Sequence, residues 1–466
     1  MVFSSVPFLY YFLPGCVLLY FLAPRRLKNA ALLLCSLLFY AWGEPNYVLL
    51  LLLSIAQGYA AALLIERYRT RRIAALARTA SVVLSLALLG VFKYAGFFLE
   101  NFRAVTGLPV TVLRLALPAG ISFYTFQILS YVLDVWHGRA PAQRSFVNLA
   151  TYIAMFPQLI AGPIVRYTDI AAQLEQRTVT LAGAASGARR FAVGLAKKVL
   201  LADSLAAIGA AWRATAQPSV LFAWLYAVSF LLQIYFDFSG YSDMAIGLGR
   251  LFGFSFPENF NYPYISASIT EFWRHWHISL DTWFRDYLYI PLGGNRTSRA
   301  RWYRNLLIVW AATGLWHGAA WNFLLWGLLF AVLLIAEKQF LRPVLEKSRV
   351  FSHIYVLFFI TLSFVLFDAD SISGAAGTLG ALFGAGGLTG ATQEALYLLR
   401  SNAVLLAIAA LGATPLPRRL CGALESSRAG ARVLSVLEPL GVLTLLVLCT
   451  AYLVDGTFSP FLYFRF

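Results

Sequence analysis

The sequence predicts an all-α integral membrane protein, and three observations predict it. Apolar runs long enough to cross a bilayer recur from one end of the chain to the other. The chain is 60% hydrophobic and only 12% charged, where a soluble domain carries about 25% charged residues. The runs are also continuous, whereas barrel strands would alternate apolar and polar positions, so helices are the spanning elements. We expect about eleven transmembrane helices, with re-entrant and amphipathic helices between them, forming a single membrane domain.

The first run, Val6 to Leu22, has no basic leader, and Pro24-Arg25-Arg26 follows it in place of a small-residue cleavage site. It therefore reads as a retained span beginning near Phe8. Spans at Ala30 to Trp42, Tyr47 to Ile65 and Ser81 to Leu99 come next. Arg25, Arg26 and Lys28 mark one loop and Arg67, Arg69, Arg71, Arg72 and Arg78 another, while the loop between them carries only Glu44. The positive-inside rule places these basic loops in the cytoplasm and the N-terminus on the periplasmic side.

The middle is less regular. Leu115 to Val135 and Phe146 to Ile160 are interrupted by Pro118, Pro157 and Pro163. Arg189, Arg190, Lys197 and Lys198 flank Phe191, Val193, Leu195 and Val199, the pattern of an amphipathic helix on the cytoplasmic face. Leu221 to Phe236 spans again. Asp237 to Arg296 is aromatic-rich, punctuated by Gly and Pro, and sets charges among tryptophans. Such a segment suits re-entrant elements inside a protein-lined cavity. Spans then follow at Leu306 to Trp316, Trp321 to Ala336, Ile354 to Phe367, Ala403 to Leu411 and Val442 to Leu453, with Ala375 to Gly390 as a loose connection. No internal repeat is evident, which weighs against an inverted-repeat transporter.

A net charge of +16 would point to nucleic acid in a soluble protein. Here basic cytoplasmic loops account for it, and no RNP-like or zinc-finger pattern calls for a nucleic-acid partner. Cys16, Cys35, Cys421 and Cys449 form no CxxC and read as inert thiols.

Only five histidines occur, and three lie in the two most distinctive stretches: Thr270-Glu271-Phe272-Trp273-Arg274-His275-Trp276-His277-Ile278-Ser279-Leu280 and Thr313-Gly314-Leu315-Trp316-His317-Gly318-Ala319-Ala320-Trp321. An ionisable group at membrane depth is costly, which makes His317 the leading functional candidate; the competing reading is a histidine hydrogen-bonded between helices. Gly318 beside it would let a substrate or another backbone approach. Imidazole, with a pKa near operating pH, can take a proton from an alcohol as it attacks an acyl carbon and then return it. If residues 271–288 are helical, His277 and Asp281 share a face, so Asp281 either orients the ring or pairs with Arg285. A metal held by His275, His277 and His317 is disfavoured, because i and i+2 point to opposite sides of a helix and no HExxH accompanies them.

Longer motifs carry a resemblance. Tyr241-Ser242-Asp243-Met244-Ala245-Ile246-Gly247-Leu248-Gly249, Pro257-Glu258-Asn259-Phe260-Asn261-Tyr262-Pro263-Tyr264, Trp276-His277-Ile278-Ser279-Leu280 and Arg285-Asp286-Tyr287-Leu288-Tyr289-Ile290-Pro291-Leu292-Gly293-Gly294 resemble the membrane-bound O-acyltransferase family, in its bacterial alginate O-acetylation branch. Phe156-Pro157-Gln158-Leu159-Ile160-Ala161-Gly162-Pro163-Ile164 and the terminal Pro460 to Phe466 are similar to that branch too. The likeness covers most of 1–466 and is densest over 118–325.

The resemblance implies two marked polar positions, which fall on His277 and His317, in a fold with a funnel on each side of a thinned centre. It implies an acetyl group taken from a cytoplasmic thioester, acetyl-CoA or an acyl carrier, and no bound cofactor. The acceptor it implies is a hydroxyl across the inner membrane, on a periplasmic SGNH-type acetyltransferase or a polysaccharide. Arg166, Lys197, Lys198 and Arg296 are candidate phosphate contacts for that donor, or else topology determinants. The aromatic tail over 459–466 either anchors the chain at the interface or, by similarity to a tyrosine-ended helper peptide of D-alanylation, carries acyl groups on Tyr463. Rival readings are transfer of another acyl group such as D-alanine, a transporter relaying protons through the histidines, and a scaffold.

Overall fold

The computed structural model describes residues 2–113 and 115–456; the tail over 459–466, with Tyr463, lies outside the described residues. Helices dominate, and the described residues contain no strand beyond an isolated bridge between Phe260 and Trp276. Six described helices are long and apolar enough to cross a membrane: Pro45–Arg67, Arg72–Thr106, Val220–Leu251, Trp321–Leu345, Arg349–Asp368 and Arg428–Asp455. Gln393–Ser401 and Ala403–Gly412, bent by 55°, make a seventh if they are one span. Phe8–Leu22 and Ile372–Leu382 are apolar but shorter.

The chain divides into two compact units, Met1–Phe191 with Ser242–Glu258, and Ala192–Tyr241 with Asn259–Phe466. In the first, Phe3, Phe8, Phe39 and Phe156 are buried together. The Tyr20 hydroxyl donates to the Phe252 carbonyl at 2.7 Å, and the Arg177 guanidinium ties Tyr20, Phe252 and Asn29 together. The expected span from Phe146 to Ile160 is two short helices, Phe146–Ala154 and Phe156–Leu159. Pro157 can only start a helix, so the chain restarts at Met155, and the Phe156 N–H donates to the Ser36 hydroxyl at 3.1 Å.

Three sequence expectations change. The polar patch from Asp237 onward continues one 32-residue helix, Val220–Leu251, so the irregular segment starts only after Leu251. Its two carboxylates are paired: Lys198 donates to Asp237 at 2.6 Å in the second unit, and Arg190 donates to Asp243 at 2.8 Å in the first. The stretch from Ala375 is helical through Leu382, with Ala375, Ala381 and Leu382 buried. The helix Leu181–Ala196 forms as the basic amphipathic pattern predicts, but Arg190 and Lys198 turn inward to carboxylates, not outward to a lipid surface.

The second unit holds the histidines. Its core stacks Phe272, Trp276 and Tyr264, and sets Trp273 against Trp310, Trp326 and Phe330. Aromatic pairs of this kind contribute about 0.5–1.5 kcal/mol each beyond area burial. The hairpin of Arg299–His317 and Trp321–Ala336 closes through two glycines. A Cβ on Gly314 would lie 2.3 Å from the Phe323 carbonyl oxygen, and one on Gly327 would lie 2.1 Å from that of Trp310. Neither position tolerates a side chain, and their contact fixes the end of the hairpin that bears His317.

Candidate active site

His317 ends the helix Arg299–His317 and is buried, 5% exposed. The rings of Trp316, Trp326 and Phe367 stand edge-on to its imidazole at centroid distances of 5.1, 5.0 and 5.3 Å. Gly318 serves packing: a Cβ there would sit 2.2 Å from the Phe323 ring. The space beside His317 expected for a substrate is therefore not at Gly318.

His277 is more buried still, at 1%. The segment before it is a short helix, Ile269–His275, whose start is doubly capped. The Ser268 hydroxyl accepts from the Glu271 N–H at 3.0 Å and the Glu271 carboxylate accepts from the Ala267 N–H at 2.8 Å. Glu337, in the π-helical turn Glu337–Leu341, adds its carboxylate to the Ile269 and Thr270 N–H groups. The chain then breaks. Trp276 is extended and pairs with Phe260, and His277 takes left-handed torsions, φ 45° and ψ 52°, before Ile278–Phe284 begins. The Asn261 N–H donates to the His275 carbonyl and the Ile278 N–H to the Asn259 carbonyl, each at 3.0 Å, which locks the break.

This break corrects the Asp281 expectation. Residues 271–288 are not one helix, so His277 and Asp281 do not share a face. The His277 Nδ1 lies 3.1 Å from the Asn259 side-chain oxygen, so the orienting contact comes from Asn259. Asp281 instead faces Arg285 and Arg274, and burial pushes its carboxyl up to about 6 against their pull. Burial, then the neighbouring His317, holds the His277 imidazole well below its ordinary range, which keeps it neutral.

A cavity of 1010 Å³ opens within the second unit. His277, Leu280 and Asp281 line it, as do Trp302, Leu306, Val309, Trp310 and Thr313, successive turns of the helix that ends in His317. It thus runs along that helix to within one turn of His317. Arg274, Arg285, Lys338, Arg342 and Arg349 also line it, and all five are exposed; Arg342 pairs with Glu346 of the same lining at 2.8 Å and Arg285 with Asp286 at 2.8 Å.

The four candidate phosphate contacts, Arg166, Lys197, Lys198 and Arg296, lie outside this lining. Arg166 belongs to the first unit and caps the helix Tyr167–Glu175. Lys198 is 1% exposed and held by Asp203 at 2.8 Å and Asp237 at 2.6 Å, so its ammonium is a structural cation. The Lys197 ammonium lies 6.0 Å from the Tyr235 ring centroid.

His275 is half-buried, with its Nδ1 3.4 Å from the Ser266 hydroxyl. His353 Nδ1 donates to the Ser266 carbonyl, a tether across the second unit, and His137 Nδ1 donates to that of Leu133, one turn back in its own helix. Among the described residues no three His, Cys, Asp or Glu side chains gather as metal ligands.

Sequence reasoning missed Asn259, Glu337 and the cationic rim. The Ser268-x-x-Glu271 capping pattern was available to mark where the short helix Ile269–His275 starts. Asn259 and Glu337 reach their partners only through tertiary folding.

The family model for MBOAT, the membrane-bound O-acyltransferase family, matches residues 139–367, a span that includes His277 and His317. The chain is similar to a probable alginate O-acetylase AlgI of Azotobacter vinelandii, 40% identical over 499 residues and 100% of both chains. It is also similar to the probable alginate O-acetylase AlgI of Pseudomonas aeruginosa, 44% identical over 380 residues, 80% of this chain and 73% of the relative. A peptidoglycan O-acetyltransferase of Helicobacter pylori is 34% identical over 426 residues, 84% of this chain and 81% of the relative.

Proposed function

The chain belongs to the membrane-bound O-acyltransferase family, and from that premise we propose that it carries an acetyl group from a cytoplasmic thioester to a hydroxyl on the periplasmic side of the bacterial inner membrane. It is a multi-pass membrane acyltransferase. The relatives' names specify alginate and peptidoglycan, so the final acceptor is a polysaccharide, reached directly or through a periplasmic SGNH-type acetyltransferase. The shorter apolar helices Phe8–Leu22 and Ile372–Leu382, together with Lys28–Gly43 and Arg299–His317, bring the seven to about eleven crossings around a two-sided funnel, with the N-terminus in the periplasm.

One observation carries this reading: the cavity that joins an exposed cationic rim to His277 and ends one turn short of His317. Acetyl-CoA is a thioester with phosphates at the other end. Arg and Lys at the rim suit the phosphates, and the apolar wall of Leu306, Val309 and Trp310 suits the thioester arm. One turn beyond the cavity's end, His317 takes the acceptor's proton. The hydroxyl oxygen bonds to the acyl carbon, the C–S bond breaks, and the proton passes to the departing sulfur. His277 orients a substrate. Imidazole suffices for this proton transfer, so the mechanism calls for no bound metal or cofactor.

The test is the His317→Ala protein, purified at normal yield from the membrane. Loss of acetyl transfer with insertion intact is the expected result. Transfer near the wild-type rate would overturn the assignment.

A further inference from the structure

Asn259 meets three donors with one atom. Its side-chain oxygen accepts from the Ser279 backbone N–H at 3.3 Å and from the Ser279 hydroxyl at 2.9 Å, and lies 3.1 Å from His277 Nδ1. A backbone N–H can only donate, so the carboxamide atom it faces is oxygen, not the NH₂ group. An oxygen without a hydrogen can meet Nδ1 only if Nδ1 carries the proton. In a neutral ring the lone pair then belongs to Nε2.

We propose that Asn259 is a positioning residue for the transfer reaction: its carbonyl oxygen holds His277 as the Nδ1–H tautomer, so that Nε2 presents an acceptor lone pair to the substrate hydroxyl. The inference rests on the reading of His277 and His317 as the transfer centre. The surrounding structure supports a fixed ring. Asn259 is 1% exposed, and the Ile278 N–H donates to its backbone carbonyl. The Phe238 ring stands edge-on to the imidazole at 4.7 Å, and Trp316 lies at 6.0 Å. The imidazole is therefore flanked by rings and held at Nδ1 by an amide. The ionisable group that acts on it directly is His317, at the end of its helix, and Glu271, Arg274, His275, Asp281 and Arg285 line the same cavity. Burial favours the neutral ring that the tautomer argument requires.

The experiment uses membrane vesicles that contain the full-length chain and its native acceptor. Thiol release from acetyl-CoA is followed in steady state across pH and normalised to the amount of chain. Asn259→Leu removes the acceptor atom, and kcat should fall by about 10²-fold with KM for acetyl-CoA unchanged. Asn259→Asp keeps an oxygen in place and should restore most of the turnover. Its carboxylate stabilises the imidazolium, so the acid limb of the pH profile should move to higher pH. A purely structural role would lower the yield of folded chain without moving that limb. His277→Ala, assayed in parallel, separates the two ideas. If it turns over like wild type, the site reading falls, and this inference with it. If His277→Ala is inactive but Asn259→Leu keeps wild-type kcat, or the Asn259→Asp limb does not move, the inference alone is overturned.

Discussion

The Glu337 carboxylate receives both the backbone N–H of Thr270, at 3.0 Å, and its hydroxyl, at 2.8 Å. A side chain at the end of one apolar helix thereby holds the start of the short helix that leads to His277. Glu337 is 4% exposed, and it also receives the Ile269 N–H, which is buried and has no ready replacement in water, whereas Thr270 is exposed.

Glu337→Ala should therefore destabilise the protein by about 1–3 kcal/mol for each donor left buried without an acceptor. Thermal unfolding in detergent would read this as a lowered midpoint, accompanied by loss of transfer. Glu337→Gln, which keeps one oxygen, should lie between the two. An unchanged midpoint in Glu337→Ala would refute the capping role.

The cationic rim and Lys198 should behave differently on substitution. Arg274→Ala or Lys338→Ala should raise KM for acetyl-CoA by about 10-fold, the loss of one charge-assisted contact, with kcat nearly unchanged and folding intact. Lys198→Ala withdraws the cation from Asp237, which is 2% exposed, and should cost about 3–5 kcal/mol of stability. Steady-state kinetics paired with melting curves distinguish the two patterns. A Lys198→Ala protein that is stable but has weakened donor binding would make Lys198 a donor contact and not a structural cation.

Asp281 gives a pH signature. Its carboxyl, pushed up to about 6, binds a proton more readily in the folded protein than in the unfolded chain. The folded state then holds more protons between about 4 and 6, so stability declines as pH rises through that window and stays lower above it. Asp281→Asn should remove this decline. It should melt above wild type at pH 8 and match it near pH 4. A wild-type midpoint that is flat across this range would contradict the assignment.

Tyr463→Phe keeps an aromatic side chain and removes the phenol. If Tyr463 carries the acyl group, polymer acetylation should fall sharply and mass spectrometry of wild type should find an acetyl adduct on it. Full acetylation in the variant would leave only the interfacial anchor.

The helical membrane fold was legible because long apolar runs have few alternatives in lipid. The burial of His317 at a helix end was legible too, since a histidine after an apolar run and before glycine stands out by type alone. What the sequence hid was the break at Trp276 and His277. A helical register through residues 271–288 satisfies local propensity, and the bridge to Phe260 that interrupts it joins segments sixteen residues apart. The orienting partner changed for the same reason: Asp281 is near His277 along the chain, whereas Asn259 reaches it at 3.1 Å only after the chain turns back. The inward turn of Lys198 was hidden because a cation paired inside the protein looks in sequence like one facing the cytoplasm.

The left-handed torsion of His277 limits which residues can replace it. At φ 45° a side chain sits where most L-residues are disfavoured, and His, Asn and Asp are the polar types that tolerate it best. The backbone thus narrows the substitutions open to this position before any chemistry is tested. Val or Ile there would add a conformational penalty to the loss of the imidazole, and the chain would tend to swing the residue out of the cavity. Asparagine could adopt the same torsion and still offer a polar group. The permitted variation at position 277 is set jointly by a turn and by a reaction, and drift at this site is confined to a few polar residues.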